Sequence, residues 1–293
     1  ENPSPYSSQW NFFIQRQLED DLTLDIGYVG SASRKQIGYS PINTALTPGP
    51  GDLQPRRLLT SFGDLDGGSN QYSGEYNALQ AKLSKRFSQG LQFNFNYTYQ
   101  KSLDNQSSLA ESNKTQDPFN RRSDWSRSSW DINHVVVFSY VYELPFGRGR
   151  QFGGSWNRAV DAIAGGWSVE GITRFDSGPP IMVFTNQDIA NTGRKTQRVN
   201  AISDPNENAP NTADEFFNTS AFVRPEPFTF GNASPFITNA DNIVSFDVAL
   251  QKRFVIHEQH AFELRGEFFN IGNTVSFSDP QGNFNNNAFG RVS

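Results

Sequence analysis

Residues 91–100, with the sequence Leu-Gln-Phe-Asn-Phe-Asn-Tyr-Thr-Tyr-Gln, alternate strictly between apolar and polar side chains. Successive side chains of a β-strand point to opposite faces, so this segment predicts a strand with one apolar and one polar face. The segment is longer than the roughly five to six residues usual in globular strands, and it matches the roughly 9–11 that a tilted strand needs to cross a bilayer. It therefore predicts a strand of a transmembrane β-barrel, in which Phe95 faces lipid and Asn96 faces the water-filled lumen.

The composition agrees with a barrel and excludes several other classes. The chain has 293 residues, of which 14% are aromatic, yet its mean hydropathy is −0.60. No run of about 18 apolar residues occurs, which excludes a membrane-spanning helix, whereas barrel strands escape such a scan because half of each strand faces water. The absence of cysteine excludes a disulfide framework and a thiolate metal site, and the net charge of −5 disfavours a nucleic-acid partner.

Seven further segments have the alternation or the length of strands. They are residues 8–17, 22–30, 76–87, 134–144, 167–175, 244–254 and 262–269. Segment 134–144 is apolar on both faces, so its register is the least defined by sequence. With residues 91–100, these segments predict an all-β fold of at least eight antiparallel strands in up-and-down order, forming one curved sheet.

The connections between these segments alternate in length. The short ones are residues 18–21, 88–90 and 255–261, and the long ones, rich in Asn, Gly and Pro, are residues 32–75, 101–133 and 176–243. Outer-membrane barrels have short periplasmic turns and long extracellular loops, whereas a soluble β-sandwich has turns about every 8–12 residues. The spacing favours a membrane barrel with the short turns together at the periplasmic end.

Residues 145–166 are the exception, because a short turn is expected there. Trp156, Val160 and Ile163 recur at the spacing of one helix face, and a Gly-Gly pair follows where a helix would stop. The segment predicts a short amphipathic helix in a periplasmic turn, lying against the rim of the barrel.

Eight short phrases extend the pattern over nearly the whole chain. They are Tyr76-Asn-Ala-Leu-Gln-Ala-Lys-Leu-Ser-Lys-Arg-Phe87, Phe95-Asn-Tyr-Thr-Tyr99, Leu144-Pro-Phe-Gly-Arg-Gly-Arg150, Gly165-Gly-Trp-Ser-Val-Glu-Gly171, Ser177-Gly-Pro-Pro180, Phe230-Gly-Asn232, Phe246-Asp-Val-Ala-Leu-Gln-Lys-Arg-Phe254 and Arg265-Gly-Glu-Phe-Phe-Asn270. In this order they resemble the C-terminal barrel of TonB-dependent receptors of the Oar-like group, which carry a carboxypeptidase-regulatory-like N-terminal domain. Each phrase alone is weak, and none of them identifies a ligand.

The resemblance implies a barrel of about 22 strands, a plug domain that fills it, and a TonB-type energy-coupling protein that pulls an N-terminal box. The sequence contains neither plug nor box, begins without a signal peptide, and ends in the loop-like Phe289-Gly-Arg-Val-Ser293. We therefore expect residues 1–293 to be one partial barrel domain of about eight strands, without plug, signal peptide or final strand. Its first and last strands are expected to be unpaired edges.

The implied function is an outer-membrane receptor or transporter for a large ligand such as a peptide, protein or glycan. Its implied partners are outer-membrane lipid, the protein's own plug domain, the TonB-type protein and an extracellular ligand. No cofactor, nucleic-acid partner or catalytic activity is expected. The alternatives are a non-transporting structural or adhesive outer-membrane barrel and, less favoured, a secreted carbohydrate-binding β-sandwich. A plug and TonB box upstream would support transport, and solubility without detergent would support the sandwich.

Three local motifs suggest other chemistry, but their context disfavours it. Asp64-Leu-Asp-Gly-Gly-Ser69 with Glu75 matches a calcium loop only in part, which favours a flexible loop. His257 and His260 flank a tight turn without a third ligand, which favours solvated imidazoles over a metal site. Gly147-Arg-Gly-Arg-Gln-Phe-Gly153 lacks the βαβ unit of a dinucleotide loop, and no hydrolase or P-loop motif occurs.

Two sets of side chains are candidates for the functional surface. The first set consists of charges predicted to face the lumen: Asp25, Lys82, Arg86, Glu170, Arg174, Asp247, Glu263, Arg265 and Glu267. They could line a ligand path or grip the plug, but a wet wall with mutual ion pairs is the favoured interpretation. The second set consists of loop aromatics, most of which are expected to pack loop against loop: Tyr72, Phe119, Trp125, Trp130, Phe216, Phe217 and Phe228.

Overall fold

The structure, a computed structural model, describes residues 3–109, 114–257 and 260–292. Its main feature is one continuous antiparallel sheet in which each long strand pairs with its neighbour in sequence. The eight long strands are β1 (Tyr6–Glu19), β2 (Leu22–Pro41), β3 (Asp66–Ser88), β4 (Leu91–Asp104), β5 (His134–Glu143), β6 (Trp167–Asp176), β7 (Ile243–His257) and β8 (His260–Phe268). The predicted up-and-down order is confirmed. Within the described residues β1 and β8 do not pair with each other, so both are edges as expected.

The sheet is inconsistent with the β-sandwich alternative, because a sandwich packs two large sheets face to face. Outside the main sheet, the β-strands in the described residues are three pairs of two-residue strands. No helix in the described ranges is both long and apolar enough to span a membrane.

The strand register separates the two faces across the whole sheet. Leu83, Phe95 and Phe138 lie directly opposite one another on β3, β4 and β5. One residue along, Lys82 pairs with Asn96. Phe95 and Asn96 therefore lie on opposite faces, as predicted. We call the face of Phe95 the apolar face; it also carries Phe12, Ile14, Ile26, Tyr28, Leu79, Tyr97, Val136, Val169, Phe175, Phe246, Leu250, Leu264 and Phe268. We call the face of Asn96 the polar face.

Aromatic rings on the apolar face pack against one another across strands. The ring of Phe138 lies 6.0 Å from Phe93, 6.5 Å from Phe95 and 5.3 Å from Tyr140, between ring centroids. The ring of Tyr140 covers Gly171, where a Cβ atom would lie 2.5 Å from it. Cross-strand aromatic pairs of this kind contribute roughly 0.2–1 kcal/mol each, so they help to fix the register of β5, which its sequence alone leaves open.

The hairpin of β2 and β3 is much longer than the sequence predicts. Residues 32–75 were expected to be one loop, but the strands continue to Pro41 and resume at Asp66, which leaves a loop of residues 42–65. The register shifts between Ser33 and Gly38, and Lys35 adopts a φ of +55°. Such a bulge inserts an unpaired residue and moves later side chains to the other face. The apolar–polar alternation therefore changes phase at the bulge and resumes only briefly, with Ile37 and Tyr39, before the strand ends.

The short turns lie at one end of the sheet, as predicted. Residues 20–21 join β1 to β2, and Gln89 and Gly90, both with positive φ, join β3 to β4. The turn between β7 and β8 includes Glu258 and Gln259, which lie outside the described residues. At the same end, the connection between β5 and β6 contains the predicted helix, α1 (Arg158–Ala164), and the Asn157 side chain caps α1 by accepting a hydrogen bond from Val160 N at 2.9 Å.

The long loops gather at the opposite end and form a folded unit, which we call the loop cap. It consists of residues 42–65, the described parts of 105–133, residues 177–242, and the segment 269–292 after β8. Three pairs of two-residue strands organise residues 177–242, and the buried apolar cluster of the chain lies in the loop cap: Val183, Val199, Phe217, Ala221, Phe222 and Ala233. These long loops therefore bury a core of their own.

Gly178 closes the base of the longest loop and provides a test of its packing. Its N–H donates to Asn242 Oδ1 at 3.0 Å, and a Cβ atom here would lie 1.8 Å from the carbonyl oxygen of Ala240. We expect Gly178→Ala to destabilise the loop cap by about 1–3 kcal/mol, as overpacking does. Hydrogen exchange of residues 177–242 measures the effect. Gly154→Ala is the control, since a Cβ atom there meets nothing within 4 Å; equal exchange in both variants would contradict this packing.

Candidate functional site on the polar face and in the loop cap

The polar face carries the charges predicted to face the lumen. Register places eight of the nine on this face, beginning with the pair Asp25 and Lys82 and ending with the β8 residues Glu263, Arg265 and Glu267. The ninth, Arg86, lies at the turn end of β3, where its guanidinium donates to the carbonyl of Asp20. One side of the sheet is therefore a charged, hydrated wall.

Arg265 is the centre of the densest charge cluster on this wall. Its Nη1 donates to Glu170 Oε2 at 2.7 Å and its Nε donates to Glu267 Oε1 at 2.8 Å. A cavity of about 430 Å³ opens in front of the cluster, and its polar lining includes Gln92, Asn94, Ser139, Glu170, Asp247, Arg265 and Glu267. The predicted mutual ion pairs are thus present here and at Arg174, whose Nη2 lies 2.5 Å from Asp176.

A second cavity of about 660 Å³ lies on the same face nearer to β1. Its polar lining consists of Gln15, Asp25, Gln80, Lys82, Asn96 and Thr98. Both cavities also have apolar lining, such as Ile172 in the first and Ala81 in the second, but their amide and charged groups suit contact with water or with a polar protein surface better than with lipid.

Buried ion pairs hold the loop cap together and link it to the sheet. Arg198 Nη1 lies 3.0 Å from Asp124 Oδ1, with side chains only 5% and 1% exposed. Lys114 is fully buried, and its Nζ donates to Asp104 Oδ1 at 2.5 Å and to the Arg127 carbonyl at 3.1 Å. Because Asp104 ends β4, the Lys114 contact fixes the described part of this loop from residue 114 onwards to the rim of the sheet.

Burial sets the titration of the Asp124–Arg198 pair. Removal from water raises the pKa of Asp124 to about 6 against the opposing effect of Arg198, and the same burial lowers the pKa of Arg198. A carboxyl whose pKa is higher in the folded state stabilises that state below its unfolded pKa near 3.8 and loses this contribution as the pH rises through 6.

We expect the free energy of unfolding of the wild-type loop cap to contain a component that falls between pH 4 and 7. Asp124→Asn should abolish this component. Urea unfolding of the loop cap at several pH values, followed by Trp125 and Trp130 fluorescence, measures the difference between the two proteins. Glu215 gives stability the opposite pH dependence, since hydrogen bonds from Thr219 lower its pKa. The comparison of wild type with Asp124→Asn is therefore needed to separate the contribution of Asp124. Identical pH profiles would contradict the assignment.

The loop aromatics separate into buried and exposed groups. Tyr72 and Phe217 are buried at 2% and 1% exposure, and Phe216 is half-buried. The remaining four are exposed, at 49% for Phe119, 38% for Trp125, 68% for Trp130 and 41% for Phe228. The structure therefore buries two of these seven rings and half-buries a third, and it leaves the other four partly accessible at the surface of the loop cap. Burial in this chain depends on folding of the loop cap, which no local pattern indicates.

The structure does not assemble the partial calcium motif. Asp64 pairs with Arg57 in the loop cap, whereas Glu75 pairs with Arg34 further along β3. Of the two histidines, His260 is exposed at the start of β8, and the Glu258 and Gln259 of that turn lie outside the described residues. Across the described ranges, no group of three or more potential His, Cys, Asp or Glu ligands converges on one point.

Comparison with known proteins agrees with this architecture. The sequence matches the family described as "Outer membrane beta barrel domain" over residues 1–293. Among solved structures, the outer membrane transporter YddB from Escherichia coli has a TM-score of 0.51 at 10% identity, over 92% of this chain and 29% of that chain. The ferripyoverdine receptor of the outer membrane of Pseudomonas aeruginosa, also 10% identical, has a TM-score of 0.46 over 99% of this chain and 26% of that chain. No curated protein matches.

The likeness to YddB is in fold alone, because the identity is low. This chain spans less than a third of the length of either protein. The family match is independent of them and extends over the whole chain. A sheet with one apolar and one polar face, short turns at one end and long loops at the other is the arrangement that such barrels require. The chain belongs to the outer-membrane β-barrel domain family, and it lies in the outer membrane with its apolar face against lipid.

Proposed function

We propose that this chain forms part of the wall of a TonB-dependent outer-membrane receptor of the Oar-like group, which transports a large ligand such as a peptide, protein or glycan. The proposal rests on one observation. The sheet has an apolar face towards lipid and a polar face towards the lumen, and a folded loop cap lies at its extracellular end. The eight sequence phrases support the choice of group. The proposal assigns the chain no catalytic activity.

The loop cap supports capture of a ligand at the cell surface. Phe119, Trp125 and Trp130 belong to one loop and Phe228 to another, and all four are exposed. Aromatic side chains supply much of the energy of recognition surfaces, since they combine a large apolar area with few rotatable bonds. Their distribution over two loops favours a ligand large enough to span both, which is the reason for proposing a peptide, protein or glycan.

The polar face supports contact with a plug domain supplied by the rest of the protein. The Arg265 cluster and the cavity lined by Asp25 and Lys82 offer charged and amide groups to a polar surface inside the barrel. Because the sequence has no cysteine, Ser139→Cys can report on this contact. In the full-length receptor we expect a bulky maleimide to react poorly at Ser139→Cys and readily at Ser108→Cys in the loop cap. Rapid reaction at both positions would indicate an open lumen without a plug.

Transport is tested in cells that carry the full-length receptor. Fluorescent pools of tryptic peptides and of oligosaccharides serve as probes, with and without an uncoupler of the proton gradient. Transport predicts accumulation that the uncoupler abolishes, while surface binding persists. Binding that is unaffected by the uncoupler, with no accumulation, would favour the adhesive barrel. No binding of either pool would contradict the proposed ligand class.

A further inference from the structure

Helix α1 lies on the lipid-facing wall of the barrel. Its last turn contacts two side chains, Trp167 and Lys252, which pair directly across β6 and β7 on the apolar face. Trp167 Nε1 donates to the Ile163 carbonyl at 2.8 Å. Lys252 Nζ donates to the Gly165 carbonyl and, at 3.3 Å, to the Asp161 carbonyl. Both contacts come from the outer side of the sheet, so the helix is outside the lumen.

Lys252 explains why the helix docks there. A lysine on the apolar face would expose an ammonium group to lipid, which is costly. Here the side chain is only 4% exposed, and its ammonium lies 5.6 Å from the Trp167 ring and 5.0 Å from the Phe254 ring. The carbonyls at the C-terminal end of a helix carry partial negative charge, so they are suitable partners for this cation. Docking of α1 thus satisfies a charge that the strand alone would leave exposed.

The two sides of α1 have different surroundings. The side that carries Asp161 faces the rest of the protein, since Asp161 Oδ1 accepts a hydrogen bond from Arg148 N at 2.7 Å. The opposite side carries Val160 and Ile163, which are three residues apart and share one face, while Trp156 precedes the helix and its ring lies beside Gly153. Ile163 is 75% exposed and Val160 is 41% exposed. The described part of the chain therefore leaves this apolar face largely uncovered.

We propose that α1 is an interfacial membrane anchor whose apolar face is covered by phospholipid of the periplasmic leaflet. The helix is continuous with the lipid-facing wall through Trp167 and Lys252, at the end of the sheet that carries the short turns. Amphipathic helices at this depth bury their apolar side among acyl chains and keep basic residues near the headgroups. The exposed Arg148 and Arg158 supply that basic character. The anchor therefore fixes the depth of the β5–β6 connection in the membrane.

The cysteine-free sequence makes the proposal directly testable. The full-length protein carrying Ile163→Cys with a nitroxide label is reconstituted into vesicles of phosphatidylethanolamine and phosphatidylglycerol. Collisions of the label with oxygen report lipid, and collisions with a water-soluble nickel complex report water. Ala162→Cys is the control, because it is exposed on the same helix but points about 120° away from the apolar face. Labels at Phe95→Cys and Asn96→Cys give the reference collision ratios for the lipid-facing side and for the lumen.

We expect the oxygen-to-nickel collision ratio at Ile163→Cys to be several-fold higher than at Ala162→Cys and to lie between the ratios at Asn96→Cys and Phe95→Cys, because the helix lies at the interface and Phe95 at mid-membrane. Equal ratios at the two helix positions would overturn the proposal, because the apolar face would then be in water. A label at Ile163→Cys that is shielded from both reagents would also overturn it, since a protein segment rather than lipid would cover the helix. Folding is not in question in either case, because the Ile163 side chain is 75% exposed and its substitution leaves the backbone contact with Trp167 in place.

Discussion

Phe95→Arg should destabilise the protein in a bilayer by roughly 2–4 kcal/mol, the cost of arginine on the lipid face of a barrel at mid-membrane. Phe95 lies in the middle of β4 on the apolar face, between Leu83 and Phe138. Replacing it would place a guanidinium in hydrocarbon and remove an aromatic contact with Phe138. Urea unfolding of the full-length protein in lipid vesicles, followed by tryptophan fluorescence, measures the difference in free energy.

The control substitutes arginine on the other face of the same strand. Asn96→Arg adds the same side chain one residue away, on the hydrated wall, where we expect a cost below about 1 kcal/mol. Because Asn96 lies opposite Lys82, Asn94→Arg is a second control; its neighbours Ser84 and Ser139 are uncharged. Equal costs on the two faces, or a larger cost at Asn96, would contradict the register on which the membrane orientation depends.

Arg198→Met should destabilise the loop cap by about 3–5 kcal/mol at pH 7.5, because it leaves the buried carboxylate of Asp124 without its cation. Methionine keeps much of the side-chain volume, so the change is mainly one of charge. The cost should shrink towards pH 5, since Asp124, with a pKa of about 6, is then largely protonated. Hydrogen-exchange mass spectrometry of peptides within residues 177–242 reports the opening free energy at both pH values.

Another arginine of the loop cap serves as the matched control. Arg291 lies 3.9 Å from Asp214, but the two side chains are 57% and 91% exposed. Exposed pairs of this kind contribute about 0–1 kcal/mol, so Arg291→Met should change exchange little at either pH. A cost at Arg198 that is as small as that at Arg291, or that does not depend on pH, would show that the Asp124–Arg198 pair does not hold the cap together.

The transmembrane part of the fold could be predicted from sequence because lipid imposes a strict pattern on it. A strand with lipid on one side and water on the other must alternate, as residues 91–100 do. Of the eight segments that define the sheet, only residues 134–144 are apolar on both faces. The pattern is interrupted where a bulge changes its phase. Beyond the bulge at Lys35 only Ile37 and Tyr39, both exposed, resume the alternation before the strand ends at Pro41, and so short a stretch does not show from sequence that β2 continues.

The candidate site was predictable only in part, for the same reason. The charges of the polar face follow from alternation, and register confirms their placement. The loop cap depends on contacts between distant segments, such as the hydrogen bond between Gln116 Nε2 and the Gly231 carbonyl at 3.0 Å. The side of the barrel on which α1 lies is also set by a distant residue, Lys252. The Trp156–Val160–Ile163 periodicity predicts a helix but contains no information about that partner.

The composition of the loop-cap core sets an order of assembly. Phe217 and Phe222 precede β7, whereas Phe289, whose ring lies 5.4 Å from Phe217 and 6.0 Å from Phe222, follows β8. The six buried residues of the core all precede β7, but Phe289 can complete the aromatic packing around them only after the hairpin has been inserted and its far end has returned to the cell surface. Packing of Phe289 therefore indicates that the last hairpin of this sheet has been inserted. A chain that stops before that step exposes an incompletely packed apolar cluster at the cell surface.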